Sequence, residues 1–410
     1  MILFSIILLI LAILGAPLFT IIATSAMLGF QSNDTSLLTV PLEFMSIAQV
    51  PVLTAIPLFT FAGYLLSECE APQRLVRVTR ALFGWMPGGL AIVCLVVCAL
   101  FTAFTGASGV TIIALGAILY PALVQDGYSD RFTLGLVTSS GSLGLLFAPS
   151  LPLILYGVVA QVSIDDLFRA GIVPGILMII ALSMYSMWQA RGIHRREVVA
   201  AIREAIWELP LPIVVLGGIY SGFFAVSEAA AITALYVFVA EVFINREIAL
   251  RDLPRIIRES MVLVGAILMI LGMSLASTYY MIDMEIPQKL LALVGELFSS
   301  QVTFLILLLI FLLILGAILD IFSAIALVVP LILPIASTFG VNQVHLGIVF
   351  LAAMELGYLT PPVGLNLFIS SYRFEKPILH VYSATFPFLL ILLLSVILIA
   401  FWPGLSLWLV

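Results

Sequence analysis

YPALVQDG (residues 120–127) and LPIASTFG (residues 333–340) stand 213 residues apart (333 − 120 = 213), and how this pair is read decides the fold. Pro121 and Pro334, Gly127 and Gly340, Gly144 and Gly357, Pro149 and Pro362, and Pro174 and Pro387 all keep that spacing. In a soluble chain the coincidence would mean a duplicated domain, but this duplicated stretch is apolar and almost uncharged. Helices broken by Pro and Gly inside apolar sequence, present twice, point to a secondary transporter.

Composition sets the class. A chain of 410 residues that is 63% hydrophobic and 9% charged, with a mean hydropathy of +1.28, has more apolar surface than a soluble core can hide. It reads as an all-α polytopic membrane protein. Apolar runs such as Met1 to Phe30, Ala91 to Phe104, Leu177 to Met187, Val302 to Leu319 and Phe386 to Phe401 recur along its length. At about 20 residues per crossing they predict about ten to twelve helices, two of them broken and some forming hairpins. Met1 opens directly into apolar sequence, which predicts a first transmembrane helix instead of a cleaved signal.

Arginine placement predicts orientation. Arg74, Arg77 and Arg80, then Arg191 to Arg203, then Arg246 to Arg258 cluster near helix ends, and the positive-inside rule puts them on the cytoplasmic face. Asp34, Asp283, Glu285 and Glu296 then suit the outer face, with Lys289 against the trend. Leu75, Val78, Leu82 and Phe83 lie between the first arginines, and Leu253, Ile256 and Ile257 between Arg251, Arg255 and Arg258. Both patterns predict amphipathic arms lying along the inner membrane surface, although basic loops would serve the topology equally.

Missing motifs exclude other chemistry. The chain has no G-x-x-x-x-G-K-[ST], and its two lysines, Lys289 and Lys376, follow Gln and Glu, so it carries no nucleotide-driven motor. It has no H-E-x-x-H, and His194, His345 and His380 are dispersed. His345 reads as a packed residue, and Cys69, Cys94 and Cys98 read as small apolar residues. Nothing calls for a cofactor, a catalytic residue or nucleic acid.

Polar groups remain where lipid-like sequence should be. The first half has Thr102, Thr105, Ser108 and Thr111, then Thr138, Ser139, Ser140 and Ser142, with Gly106, Gly109, Gly141, Gly144, Pro149 and Pro152 between them. The second half has Asp320, Ser323, Glu355, Thr360, Pro361, Pro362, Gly364 and Asn366. Breaks free backbone carbonyls that need a partner, which a hard cation such as Na⁺ supplies. Ser, Thr and Gly also serve close helix packing, but a carboxylate such as Asp320 is costly in a membrane and marks an ion path. Glu228 is open between capping its helix and a transport role.

With these residues in place, the chain resembles the large membrane subunit of tripartite ATP-independent periplasmic (TRAP) transporters, the DctM-like family. The resemblance rests on IPLFTFAGYLLSE (56–68), GASGVTIIALGAILYPALVQDGY (106–128), SSGSLGLLFAPSLPLILYGVVAQVSIDDLFRAGIVPG (139–175), SEAAA (227–231), Leu319-Asp320 and GYLTPPVGLNLF (357–368), in that order. It implies inverted repeats, each with a re-entrant hairpin and a broken helix, that form a transport domain moving as an elevator against a scaffold. The hairpins then fall near 101–125 and 318–338, and the broken helices near 132–160 and 345–372. The implied division is 1–85 (scaffold and first arm), 86–190 (transport half 1), 191–300 (scaffold and second arm) and 301–410 (transport half 2 and terminal helix).

The resemblance further implies Na⁺-coupled symport of organic acids, dicarboxylate-like, across a bacterial inner membrane. A periplasmic solute-binding protein would deliver the substrate, and a separate small four-helix membrane subunit would complete the complex. Na⁺ ligands carry over to Ser108, Ser139, Gly144 and Pro149 at one site and to Asp320, Thr360, Pro361 and Gly364 at the other. Substrate contacts carry over to Gly106, Ser140 and Asn366. The chain differs from the common pattern at Gly109-Val110-Thr111, where many members have a carboxylate, at Ala148-Pro149, where many have Pro-Pro, and at Ala225-Val226-Ser227-Glu228. Two alternatives are a stand-alone Na⁺-coupled anion symporter and an intramembrane serine hydrolase using Ser108 with His345.

Overall fold

Broken helices and hairpins dominate the computed structural model, which describes residues 7–8, 10–11, 14–33, 35–83, 88–189, 215, 217–286, 288–289 and 300–410. Asp34, Arg191 to Arg203, His194 and Glu296 lie outside the described residues. Among the described residues every regular element is helical. The chain opens with α1 (Leu18–Ser32), α2 (Thr39–Ser46), α3 (Ala55–Glu68) and α4 (Ala71–Phe83). The first half follows as α5 (Gly89–Thr105), α6 (Ser108–Gln125), α7 (Asp130–Ser140), a 3₁₀ turn (Leu143–Leu146), α8 (Leu151–Ala160) and α9 (Ile164–Gln189). Next come α10 (Val226–Phe238), which runs into a π turn (Val239–Ile244), and α11 (Leu253–Asp283). The second half is α12 (Gln301–Ile318), α13 (Ile321–Thr338), α14 (Gln343–Gly357), α15 (Leu365–Arg373) and α16 (Ile378–Phe401).

The 213-residue spacing holds at the level of elements. Added to the bounds of α6 it gives 321–338 (108 + 213; 125 + 213), the bounds of α13. The start of α7 maps to that of α14 (130 + 213 = 343), and the caps before them correspond too (129 + 213 = 342). Ser129 accepts the N–H of Phe132 at 3.2 Å, and Asn342 accepts those of Val344 at 2.8 Å and His345 at 3.2 Å. Each such cap is worth about 1 kcal/mol. The Ala148-Pro149 and Pro361-Pro362 peptide bonds are both cis.

The halves interlock. α6 packs on α15 and α13 on α8, while α9 packs on α14 and α16 on α7. Lipid supplies no hydrophobic drive between helices, so small residues must let backbones approach. Gly316 of α12 and Gly357 of α14 meet back to back, Gly144 lies against the Ala99 carbonyl, and Gly63 of α3 lies against the backbone of Phe104 and Thr105.

Among the described residues, eight helices are long and apolar enough to cross a membrane, and a ninth span forms if Asp130–Leu146 and Leu151–Ala160, bent by 43°, count as one. Three shorter apolar helices, Leu18–Ser32, Gly89–Thr105 and Gln343–Gly357, accompany them. The hairpins are longer than the sequence reading placed them. The first joins α5 to α6 over Gly89–Gln125 instead of 101–125, and the second joins α12 to α13 over Gln301–Thr338 instead of 318–338. The broken helices match their expected ranges within a few residues.

One of the two basic segments forms an amphipathic helix of its own and the other does not. Residues 71–83 form α4, with a polar and an apolar face. The stretch around Arg251 to Arg258 is no separate arm, because most of it is the first turns of α11, a single helix of 31 residues. At 1.5 Å per residue such a helix spans about 46 Å, against about 30 Å of hydrocarbon, so its charged start stands clear of the apolar part. Arg255 reaches Glu68 at 2.5 Å, and Arg74 pairs with Glu241 at 3.1 Å and with Glu247. The basic groups around residues 74 and 255 therefore share one end of the molecule. At the opposite end of α11, the Asn33 amide lies 2.6 Å from the Met284 sulfur, beside Asp283 and Glu285.

Candidate functional site: the cavity between the hairpin tips

Each hairpin turns where its helices run out. α5 ends at Gly106, whose φ of +66° only glycine adopts freely, and its N–H closes onto the Thr102 carbonyl at 2.7 Å. α6 restarts at Ser108 with Ala107 in the N-cap position, which offers no side-chain acceptor. The second tip keeps the geometry and changes the chemistry, since Asp320 occupies the place of Ala107 (107 + 213 = 320). Its Oδ1 accepts the N–H groups of Phe322 and Ser323, each at 3.0 Å, and its Oδ2 accepts the Ser323 hydroxyl. The remaining N–H at this helix start, from Ile321, donates to the Tyr358 hydroxyl at 2.7 Å.

Both tips open onto one cavity of about 370 Å³. Gly106, Ser108 and Val110 reach it from the first hairpin, Asp320 and Phe322 from the second, and Tyr358, Leu365 and Ile369 from the second broken helix. Tyr64 of α3 and Leu263, Ala266, Ile267 and Ile270 of α11 close the other side. A second opening, against α1 and α11, reaches Asp320 and Ser323 from behind. Ions and ligands in α-helical transporters commonly sit where broken helices meet, because free backbone groups and helix ends converge there.

The residues singled out in the sequence divide between the cavity and the layer behind it. Gly106, Ser108 and Asp320 line the cavity; Ser139, Ser140, Gly144, Pro149, Thr360, Pro361, Gly364 and Asn366 do not. Asn366 lies directly behind, fully buried, accepting the Ser108 hydroxyl at 2.7 Å and reaching the Thr138 carbonyl at 3.5 Å. It thus ties the first hairpin tip to both broken helices. Ser139 donates to the Gly135 carbonyl at 2.7 Å and Ser140 to that of Val137 at 3.2 Å, so both hydroxyl protons go to their own helix while the oxygens keep lone pairs for a further partner. Thr102 donates to the Gly141 carbonyl at 2.8 Å and shares a 2.6 Å bond with Thr111, stitching the first hairpin to the break after α7.

Around the second break oxygens crowd together. Gly364 holds a φ of +54°, and a side chain there would meet the carbonyls of Tyr358 and Thr360 at 2.9 and 3.0 Å. Its N–H donates to the Ala317 carbonyl at 3.0 Å, and the Thr360 hydroxyl donates to that of Leu356 at 2.9 Å. The carbonyls of Tyr358 and Thr360 thus converge on Gly364, and carbonyl oxygens are the donor type that hard cations take. Glu355 sits one turn before Tyr358, 2% exposed, with neither carboxyl oxygen partnered among the described residues.

Sequence reading missed Tyr64, Tyr358 and the α11 wall. Tyr358 stands inside GYLTPPVG and was within reach. Leu263, Ala266, Ile267 and Ile270 carry only a helical apolar period, which any lipid-facing or packed helix shares. Several open readings are settled by contacts. Glu228 accepts the Ala225 N–H at 3.0 Å, the geometry of a helix cap. His345 is a packed residue, with Nδ1 3.2 Å from the Ser406 hydroxyl and Nε2 3.2 Å from the Ala400 carbonyl. Ser108 and His345 therefore belong to separate networks and form no hydrolytic pair. Cys69, Cys94 and Cys98 are free and buried.

Comparison with known proteins agrees with this architecture. The family described as the DctM component of tripartite ATP-independent periplasmic transporters matches residues 3–405. The C4-dicarboxylate TRAP transporter large permease protein DctM of Pseudomonas aeruginosa is 34% identical over 363 residues, covering 87% of this chain and 85% of that one. The isethionate TRAP transporter permease protein DctMQ of Oleidesulfovibrio alaskensis is 32% identical over 367 residues, covering 87% of this chain and 58% of that longer protein. Among solved structures, the Alcanivorax borkumensis YdaH transporter superposes with a TM-score of 0.62 at 15% identity, covering 89% of this chain and 87% of its own, which is a likeness of fold. The chain is a multi-pass inner-membrane protein and no enzyme, and it belongs to the DctM family of TRAP transporter large permease subunits.

Proposed function

We propose that this permease imports small organic acids by symport with Na⁺, receiving them from a periplasmic solute-binding protein and working with a small membrane subunit. The observation that carries the reading is the meeting of both hairpin tips and the second helix break at one cavity with Asp320 on its wall. A carboxylate held by backbone N–H groups at a helix start is preorganised for a cation, and the free starts of α6 and α15 suit an anionic cargo. Asp320, Thr360, Pro361 and Gly364 form the ion site we favour, with Ser108, Ser139, Gly144 and Pro149 as a second. Gly106, Ser140 and Asn366 shape the cargo end. α5–α9 and α12–α16 would move together past α3 and α11, carrying the cavity across the membrane.

Relatives named for C4-dicarboxylates and for isethionate support an acidic cargo, others are named for ectoine, and the binding protein would select among such solutes. The test is uptake of radiolabelled organic acids into proteoliposomes holding this chain and its small subunit, with an inward Na⁺ gradient, with and without the binding protein. Accumulation that needs both Na⁺ and the binding protein supports the reading. Accumulation indifferent to the binding protein favours a stand-alone symporter, and no accumulation under any gradient removes the reading.

A further inference from the structure

Resting on that reading, we propose that cargo leaves the cavity past Tyr64 into a vestibule at the cytoplasmic end, where the Arg258 guanidinium receives its carboxylate. Two spaces and the residue between them carry this. Beside the cavity of about 370 Å³ lies a second space of about 650 Å³, lined by Pro254, Arg255, Arg258, Glu259 and Val262 of α11 and by Tyr64 of α3. Among the described residues Tyr64 alone borders both. The arginines put this second space at the end that the positive-inside rule assigns to the cytoplasm.

α11 forms a wall of both. Arg255, Glu259 and Val262 share a helix face with Ala266 and Ile270, at steps of three and four residues, so one stripe turns from charged to apolar as it enters the cavity. From Arg258 to Ile270 it covers about 18 Å. On α3, Glu68 holds Arg255 at 2.5 Å, and Tyr64 stands one turn further in. Glu259 also turns to Arg255, at 3.3 Å. Arg258, by contrast, is in no ion pair with a described residue, and its planar fork matches a carboxylate. Tyr64 is half-buried, and among the described residues no partner holds its hydroxyl. The ring can therefore swing aside and offer that O–H to the passing carboxylate. The Na⁺ assigned to Asp320 belongs to the cavity and Arg258 lies outside it, so the two charges serve the cargo in sequence.

The test is thiol labelling in inside-out vesicles holding this chain and its small subunit. Val110→Cys lines the cavity and not the vestibule, and the parent chain is the blank because its own cysteines are buried. Anionic sulfonatoethyl methanethiosulfonate or cationic trimethylammonioethyl methanethiosulfonate is added from the cytoplasmic face. We expect Tyr64→Ala to speed labelling by both reagents at least about fivefold and Tyr64→Trp to slow it. Arg258→Gln is expected to slow the anionic reagent about fivefold without slowing the cationic one. Labelling indifferent to Tyr64, or faster with Trp as well as with Ala, would mean a loosened protein and no door, and would overturn the inference. Arg258→Gln acting alike on both reagents would overturn it too. None of these outcomes touches the transport reading, which stands or falls on uptake.

Discussion

Asp320 caps a helix in the structure and holds the coupling ion in the proposed mechanism. Its Oδ1 closes the start of α13 by accepting two N–H groups, and its charge faces the cavity. Asn caps a helix about as well as Asp, whereas Ala forfeits about 1 kcal/mol. Asp320→Asn is therefore expected to leave the melting temperature nearly unchanged while the Na⁺ concentration for half-maximal uptake rises about tenfold, since one pairwise charge contribution is lost. Uptake measured against Na⁺ concentration checks this, and an unchanged Na⁺ curve would remove Asp320 from the ion site. Glu355 poses the converse case, a buried carboxyl that contributes no hydrogen bond to any described neighbour. Glu355→Met replaces it with an apolar group of similar length, and relief of an unsatisfied buried group should raise stability by about 1–3 kcal/mol. A fluorescence melting curve reads the sign. If stability rises while uptake falls, the carboxyl is kept for transport.

At the scale of elements, legibility followed chemistry. The breaks were visible because Pro149 and Pro362 lack the N–H that a helix needs and Gly106 and Gly364 take the positive φ that ends one, and α7 and α14 began where Ser129 and Asn342 offered caps. The outer arms of the hairpins were misjudged because α5 and α12 are unbroken apolar sequence with no internal mark of where a hairpin begins. The continuation of Arg255 and Arg258 into α11 was missed for the opposite reason. A basic amphipathic segment reads the same whether it lies on a membrane or caps a long span, and the pairing of Arg255 with Glu68 fixes the second. Helix contacts give a sharp prediction. Gly316 and Gly357 touch backbone to backbone, and a side chain on Gly357 would come within 2.6 Å of the Gly316 Cα, so Gly357→Ala must part α12 from α14 and is expected to lower stability by about 2 kcal/mol or more. Gly265 of α11 has nothing within 4 Å of where a side chain would project, and Gly265→Ala is expected to be neutral or to stabilise by up to about 1 kcal/mol. Thermal melts of the two variants side by side make the comparison, and equal effects would contradict the packing described.

For the whole molecule, the repeat organises the fold but not the chemistry. The 213-residue register was legible in prolines and glycines, of which Gly144 and Gly357 and Pro149 and Pro362 fall at the helix breaks of the two halves, whereas Pro121, Pro334, Pro174 and Pro387 sit inside continuous helices. The site was legible only in part, because the halves have diverged. Ala107 stands opposite Asp320 and Leu145 opposite Tyr358 (107 + 213 = 320; 145 + 213 = 358), so cavity chemistry concentrates on the second half. Packing of α6 on α15 and of α13 on α8 makes the halves one body. That body meets α3 and α11 across the cavity, and the proposed mechanism has it slide along them. Val110 on the first hairpin and Ile270 on α11 line the cavity from opposite sides of this seam. The most direct measurement introduces Val110→Cys with Ile270→Cys, bridges the two thiols with a reducible bis-thiosulfonate reagent long enough to span the cavity, and follows Na⁺-driven uptake in proteoliposomes before bridging, after bridging and after reduction. The account predicts a cross-link that arrests uptake and a reductant that restores it. Full uptake by the cross-linked protein would show that the seam does not move and would contradict the account.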